Sequence, residues 1–385
     1  MVEVRALQVG ELAAAAALAD ATFRDEEQFS MAQAFPNIFS HSLREQSYGA
    51  FDDGKLVSFM GVVPTVVHVG DARLNVFSIG AVCTHPDYRG YGLASDVLAK
   101  AMAHIDRADG ALMLVSGTRS LYTRIGCHLF GAVTRFVLKP THARSLLAQA
   151  PTGVVIRELE PADWLKLAAL AAARPVRFEQ SVWDLAALID AEAYASCIKL
   201  AHKVLVAEEN GQLRGFLVAS VPYANGSKRP PHAFEWAGDA ETIRLLAAAA
   251  VDRYALTELE IPVSWFETAL LESLQQPFAE KKEQQEQNLG TVKVIQAERL
   301  LAQLRPYLHA RDAEVSEQLT VRQLANGDTV VSVADASTQL TPQAFISLLF
   351  DPEPNFGVAI DVQLQAQLKR LFPIPFPYSA GLNYV

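Results

Sequence analysis

The chain has 385 residues, 50% hydrophobic and 20% charged, with a formal net charge of −10 at pH 7. That length supports more than one packed core, so two or three domains are expected, and the acidic balance argues against nucleic-acid partners. Cys83, Cys127 and Cys197 are an odd set without C-x-x-C spacing, which speaks against a disulfide scaffold or a metal site and for a cytoplasmic protein; no run of about 18 apolar residues predicts a membrane span.

Val2 to Leu7 reads as a strand, followed by helices from Val9 to about Phe23 and from Phe29 to Phe39. The alanine-rich run Leu12 to Ala19 is flanked by Glu11 and Asp20 and reads as an amphipathic helix rather than a signal segment. Ser47 to Phe51 and Leu56 to Val63 predict a hairpin whose turn contains Asp53-Gly54. Extended runs at Thr65 to His68 and Arg73 to Cys83 follow. From Leu93 to Ile105 the apolar residues recur at helical spacing, Ala111 to Val115 forms a buried strand, and Gly126 to Val137 is a further strand region.

A second cycle then begins at Val155. Lys203 to Glu208 and Leu213 to Val221 predict a hairpin around Asn210-Gly211, followed by a helix from Glu241 to Tyr254 and a strand from Leu256 to Val263. The recurrence suggests a tandem duplication at low similarity. Glu280 to Asn288 is charged and amide-rich, either a linker or an exposed hairpin turn, with a boundary near Gly290. Beyond it lie a strand (Val292 to Ile295), a helix (Glu298 to Leu308), strands around Glu317 to Leu324 and Thr329 to Val333, and a helix opened by Thr341-Pro342. The stretch Phe376 to Val385 is apolar, as expected of a docked tail.

The densest chemical signal is Val82-Cys83-Thr84-His85-Pro86-Asp87-Tyr88-Arg89-Gly90-Tyr91-Gly92-Leu93-Ala94. An apolar strand, a bend and an Arg-Gly-Tyr-Gly helix start create a nest of free backbone amides at the positive end of a helix, a ready anion site. Arg89 adds charge, and Gly90 and Gly92 let an anion approach the main chain. In the second cycle the equivalent place reads Glu235-Trp236-Ala237-Gly238-Asp239-Ala240, an acidic stretch that would repel a pyrophosphate.

The segment resembles the acyl-CoA pyrophosphate loop of the GNAT acetyltransferase superfamily, whose pattern Arg/Gln-x-x-Gly-x-Gly/Ala is matched by Arg89, Gly92 and Ala94. Ser120-Leu121-Tyr122-Thr123-Arg124-Ile125-Gly126 is similar to the Tyr-x-x-x-Gly segment of the same superfamily. The layout of the whole chain resembles the Eis (enhanced intracellular survival) acetyltransferase family. That resemblance implies an α/β (α+β) fold class: two tandem GNAT folds, each a mixed central sheet flanked by helices, and a C-terminal sterol-carrier-protein-like α/β domain. The implied domains are residues 1–145 (catalytic), 146–289 (degenerate) and 290–385 (with a tail docked in the active site), in a homo-oligomer, hexamer or trimer.

The resemblance also implies roles. The main chain of Val82, Cys83 and Thr84 would hold the pantetheine arm and acetyl carbonyl, and Arg89, Gly90, Tyr91, Gly92, Leu93 and Ala94 the pyrophosphate of acetyl-CoA. Tyr122 would be the general acid, and the α-carboxylate of Val385 the base. Arg119, near the acceptor mouth, disfavours a strongly cationic acceptor. Glu26 and Glu27 are either partners for a substrate ammonium or a solvated acidic turn; Trp236 either faces the cleft or packs in a core; His85 is either a base or part of the loop's structure. The expected activity is acetyl transfer from acetyl-CoA to a small-molecule or peptide amine. The alternative is an acyl-CoA sensor or apolar-ligand carrier without turnover.

Overall fold

The computed structural model describes residues 2–223, 227, 229–275, 279–281 and 286–385. Of the charged run from Glu280 to Asn288, residues Lys282, Glu283, Gln284 and Gln285 lie outside the described residues. The opening stretch contains β1 (Val2–Ala6), α1 (Leu12–Phe23), α2 (Met31–Ala34), β2 (Tyr48–Asp52), β3 (Lys55–Val69), β4 (Ala72–Thr84), α3 (Leu93–Arg107), β5 (Leu112–Val115) and α4 (Ser120–Thr123). The middle stretch contains β6 (Val133–Leu138), α5 (Pro140–Leu147), β7 (Val154–Glu158), α6 (Trp164–Ala172), β8 (Val176–Phe178), α7 (Val182–Ala191), α8 (Ala193–Cys197), β9 (Leu200–Glu209), β10 (Gln212–Pro222), β11 (Ala233–Ala237), α9 (Ala240–Arg253), β12 (Leu259–Ser264), α10 (Thr268–Ser273) and β13 (Glu280–Lys281). The last stretch contains β14 (Thr291–Val294), α11 (Ala297–Arg311), α12 (Ala313–Gln318), β15 (Leu319–Gln323), β16 (Thr329–Val333), β17 (Ala336–Leu340), α13 (Pro342–Phe350) and α14 (Val362–Leu371). The fold is mixed α/β, as expected.

Several elements differ from the sequence reading for local reasons. The helix expected from Phe29 to Phe39 shrinks to the four residues of α2, because Pro36 disfavours helical geometry at Phe35. Ser30 still caps it with a reciprocal bond pattern to Gln33. The runs Leu56 to Val63 and Thr65 to His68 merge into one long strand, β3, which turns into β4 at Gly70, whose φ is +55°. The strand expected from Gly126 begins only at Val133, since Gly126 and Gly131 both have positive φ. Helix α14 has no counterpart in the sequence reading.

The chain divides into two compact units. The first gathers residues 1–131, 289–376 and 385. Within it the strands run β1-β2-β3-β4-β5-β14, antiparallel except for the parallel pair β4/β5. Helix α3 covers one face. Its Val97, Leu98, Ala101 and Ile105 are buried against Phe77, Ile79, Met113 and Val115, and burial of each large side chain contributes about 1.5–3 kcal/mol. The same unit holds the antiparallel meander β15-β16-β17.

The second unit comprises residues 132–288 and 377–384. Its strands run β11-β10-β9-β7, and β12-β6-β13 form a second sheet. A parallel bridge joins His232 to Glu260. Helix α9 buries Ile243 and the run from Leu245 to Val251, filling the unit's centre. Asn288 holds part of the tail: its Oδ1 accepts from the Ser379 amide (2.8 Å) and hydroxyl (2.7 Å), and its Nδ2 donates to Pro377 O (3.0 Å).

Each unit therefore shows a strand, helices, three antiparallel strands, a helix and a further strand in that order. Each ends with an antiparallel strand drawn from elsewhere in the chain: β14 beside β5, and β6 beside β12. Among the described residues no helix is long and apolar enough to cross a membrane.

Candidate active site

The site is built on the end of β4. Up to Ile79, β4 pairs with β5 (Val76↔Leu112 to Ile79↔Val115), and β5 ends there. Toward β3, Gly80 faces Gly61 and Cys83 faces Phe59, so Ala81 and Val82 together oppose Met60. This is a β-bulge, which bends its strand and leaves a main-chain group unpaired. Ala81 takes φ +50°, a left-handed conformation that non-glycine residues adopt at some cost. The end of the strand is pinned from the side. Ser58 Oγ lies 3.2 Å from Cys83 O and 2.8 Å from Thr84 Oγ1. Burial pushes the Cys83 thiol up to about 12, which suits a packing residue rather than a nucleophile.

After Thr84 the chain makes one tight turn, Pro86–Tyr88. His85 serves that turn: its Nδ1 accepts from the Asp87 amide at 3.4 Å, and its ring meets Tyr88 edge-on. Arg89 is exposed, and its Nε donates to Thr84 O at 3.2 Å, tying the guanidinium to the strand end. Gly90 and Gly92 follow at φ +87° and +81°, and a Cβ at either would meet nothing within 4 Å. Gly92 is the N-cap of α3 and supplies no side-chain cap. The Leu93 and Ala94 amides open the helix and cannot be paired within it; those of Gly90, Tyr91 and Gly92 point from open backbone. Tyr91 is 75% exposed. The result is a helix N-terminus without a side-chain cap, reached through two left-handed glycines, with an exposed guanidinium beside it, an arrangement that suits an anion.

Tyr122 sits in α4, with its amide donating to Arg119 O (2.9 Å) and its carbonyl accepting from the Ile125 and Cys127 amides (each 3.1 Å). Its side chain is buried among Val97, Leu98, Val115 and Cys127, with Val82 against the same cluster. Burial pushes its phenol up to about 12, with the Arg119 charge pulling the other way. The ring edge would lie 3.6 Å from a Cβ at Gly117.

Val385 lies on β4 itself. A Cβ at Gly80 would fall 2.7 Å from its carboxyl carbon and 2.6 Å from its Cγ1. Sequence reasoning named Val385 but missed its platform, Gly80, Gly61 and Ile38; the available signal was a glycine in the interior of each of two adjacent strands.

The remaining residues are placed as follows. Glu26 and Glu27 are exposed, and the Glu27 amide donates to Asp25 Oδ1 at 3.1 Å, the geometry of an acidic turn. Trp236, in the second unit, is 7% exposed, and its indole donates to Glu267 Oε1 at 2.8 Å. Burial raises the Glu267 carboxyl above the usual range. This side chain is spent on packing and on satisfying a buried carboxyl.

Residues 3–130, which carry the bulge, the amide nest and Tyr122, match the profile described as an acetyltransferase (GNAT) domain. The match to a GNAT acetyltransferase domain is confined to those residues. Over nearly its full length it is similar in fold to a GCN5-related N-acetyltransferase from Anabaena variabilis ATCC 29413 (12% identity, 98% of each chain, TM-score 0.66). It is also similar to a probable N-acyltransferase from Enterococcus faecalis V583 (14% identity, 88% of this chain and 85% of that one, TM-score 0.61) and to Eis1 from Mycobacterium abscessus (13%, 90% and 89%, 0.60). No curated protein matches the sequence. A GNAT domain supports acyl transfer in general terms.

Proposed function

We propose that the protein is an N-acetyltransferase that moves an acetyl group from acetyl-CoA to a primary amine by direct attack. The observation that carries this reading is the open helix N-terminus at Gly92, directly after a bulged strand end that β5 leaves uncovered. In this reading the amides from Arg89 to Ala94 hold the pyrophosphate, and the main chain of Val82, Cys83 and Thr84 holds the pantetheine arm. An amide freed by the bulge stabilises the oxyanion, a kind of donor whose loss typically costs about 3 kcal/mol. Tyr122 gives a proton to the departing thiolate, and the Val385 carboxylate takes one from the amine. A free α-carboxyl, with a pKa of about 3.3–3.7, is a weak base at neutral pH, so this role leans on placement against Gly80 more than on basicity.

The repeated order of elements supports a tandem GNAT arrangement whose second copy binds no CoA, with the region around β15-β16-β17 as the sterol-carrier-protein-like part, as in an Eis-like protein. The proposed domains remain residues 1–145, 146–289 and 290–385. A cytoplasmic homo-oligomer, hexamer or trimer, belongs to the same proposal.

The test is acetyl-CoA-dependent thiol release with polyamines, aminoglycosides, amino acids and lysine peptides. Release that depends on one amine class confirms the transferase and names its acceptor. Acetyl-CoA binding with no release from any acceptor favours the sensor or carrier, and absence of binding refutes the reading of Arg89 to Ala94.

A further inference from the structure

Gly61 and Gly80 are register partners on β3 and β4. Neither has positive φ, so neither is required by backbone conformation. Glycine inside a strand costs roughly 0.5–1 kcal/mol relative to alanine; two facing each other mark a place where something must come close to the main chain. A Cβ at Gly61 would lie 2.5 Å from Ile38 Cγ2 and 3.1 Å from Gly80 O. A Cβ at Gly80 would lie 2.6 Å from Val385 Cγ1, 2.7 Å from the Val385 carboxyl carbon and 3.0 Å from Ile38 Cδ1. The missing side chains thus form a trench across the sheet, filled by Ile38 and Val385. Its inner end abuts the bulge at Ala81.

We infer that the Gly61–Gly80 pair, with Ile38, is the seat that fixes the Val385 carboxyl at the reacting end of β4. These are positioning residues, and the inference rests on the reading of Val385 as base. The close neighbours of the Gly80 position include the Val385 carboxyl carbon, which a change of side-chain rotamer does not move and which gives way only if the Val385 main chain shifts. Gly80→Ala therefore has to lift Val385 off the strand while leaving the amide nest untouched.

Two readouts test this. The first is the rate at which a carboxypeptidase releases Val385 from the folded protein. Gly80→Ala should raise it by about tenfold or more, and the gentler Ile38→Val, which removes only Cδ1, should raise it less. Unchanged release from both variants, with CoA binding showing that they are folded, overturns the seat. The second is turnover. Misplacement of about 1 Å typically costs on the order of a hundredfold, so Gly80→Ala should lower kcat by that order with CoA affinity held. In a chain lacking Val385, Gly80→Ala should cost nothing more; an equal loss in both backgrounds overturns the inference. Faster release of Val385 with unchanged kcat upholds the seat and refutes Val385 as base.

Discussion

Helices α3 and α9 each follow a strand of an antiparallel array and lead into the next strand, yet their N-termini are finished in opposite ways. At α3 the cap is Gly92 at φ +81°, without a side-chain cap and open to solvent. At α9 the cap is Asp239, whose Oδ1 accepts from the Thr242 amide (2.9 Å) and whose Oδ2 accepts from the Thr242 hydroxyl (3.0 Å). The preceding Gly238 is closed in, since a Cβ there would lie 2.8 Å from Arg214 O. Both helices carry a positive N-terminal dipole. One leaves its first amides for a ligand, while the other neutralises them with its own carboxylate. On the proposed reading, the difference between the two helix starts lies in the cap, not in the fold.

The sharpest test of that contrast lies at the residue that the proposed mechanism makes the acid. Tyr122→Phe should lower kcat by about a hundred- to ten-thousandfold with CoA affinity unchanged. Because burial lifts the phenol from its ordinary 10 to about 12, Tyr122 keeps its proton as pH rises through 10. The alkaline limb of kcat should therefore lie above pH 10 and vanish in Tyr122→Phe; a limb that persists unchanged in Tyr122→Phe belongs to another group and contradicts the assignment. Next in size, Gly92→Asp puts a carboxylate at the start of α3, on a backbone whose φ of +81° also strains any side chain, and should weaken CoA binding by about a hundredfold, read by calorimetry, since the carboxylate stands where the dipole would meet a phosphate.

Smaller effects belong to the second unit and should appear in stability alone. His202 is half-buried, its enclosed Nε2 lacking a partner among the described residues, and loss of solvent around the ring lowers it to about 4. The unfolded chain takes up this proton near pH 6.5 and the folded chain does not, so stability falls as pH drops from 6.5 to 4, by up to about 3 kcal/mol. His202→Phe should flatten that part of the pH–stability curve. Asp239→Ala should cost about 1 kcal/mol in unfolding free energy without changing CoA affinity; any gain in CoA binding would mean that the second nest is closed by its cap alone.

The sequence made short-range features legible. The positive-φ glycines and bare helix start at Gly90 and Gly92 follow from a few adjacent residues, as do the hairpin turns at Gly54 and Asn210-Gly211. Features that join distant residues stayed hidden. The pairing of Thr291–Val294 with β5 and of Val133–Leu138 with β12 is set by which sheet edge each strand can complete, which no local pattern encodes. The trench of Ile38, Gly61, Gly80 and Val385 unites four remote positions through glycines whose φ is ordinary, so no turn signal marks them. Trp236 shows the reverse case: its place where the first cycle has the anion loop leaves cleft and core both open, and the bond to Glu267 puts it in the interior.

The pairing of β14 with β5 also has a consequence for biosynthesis. On the ribosome, strands β1 to β5 emerge early, but the strand that completes their sheet is translated only after the whole middle stretch. Until then β5 is a raw edge able to recruit any passing strand. A fragment ending at Gly131 would carry that edge permanently and should self-associate more readily than the full chain.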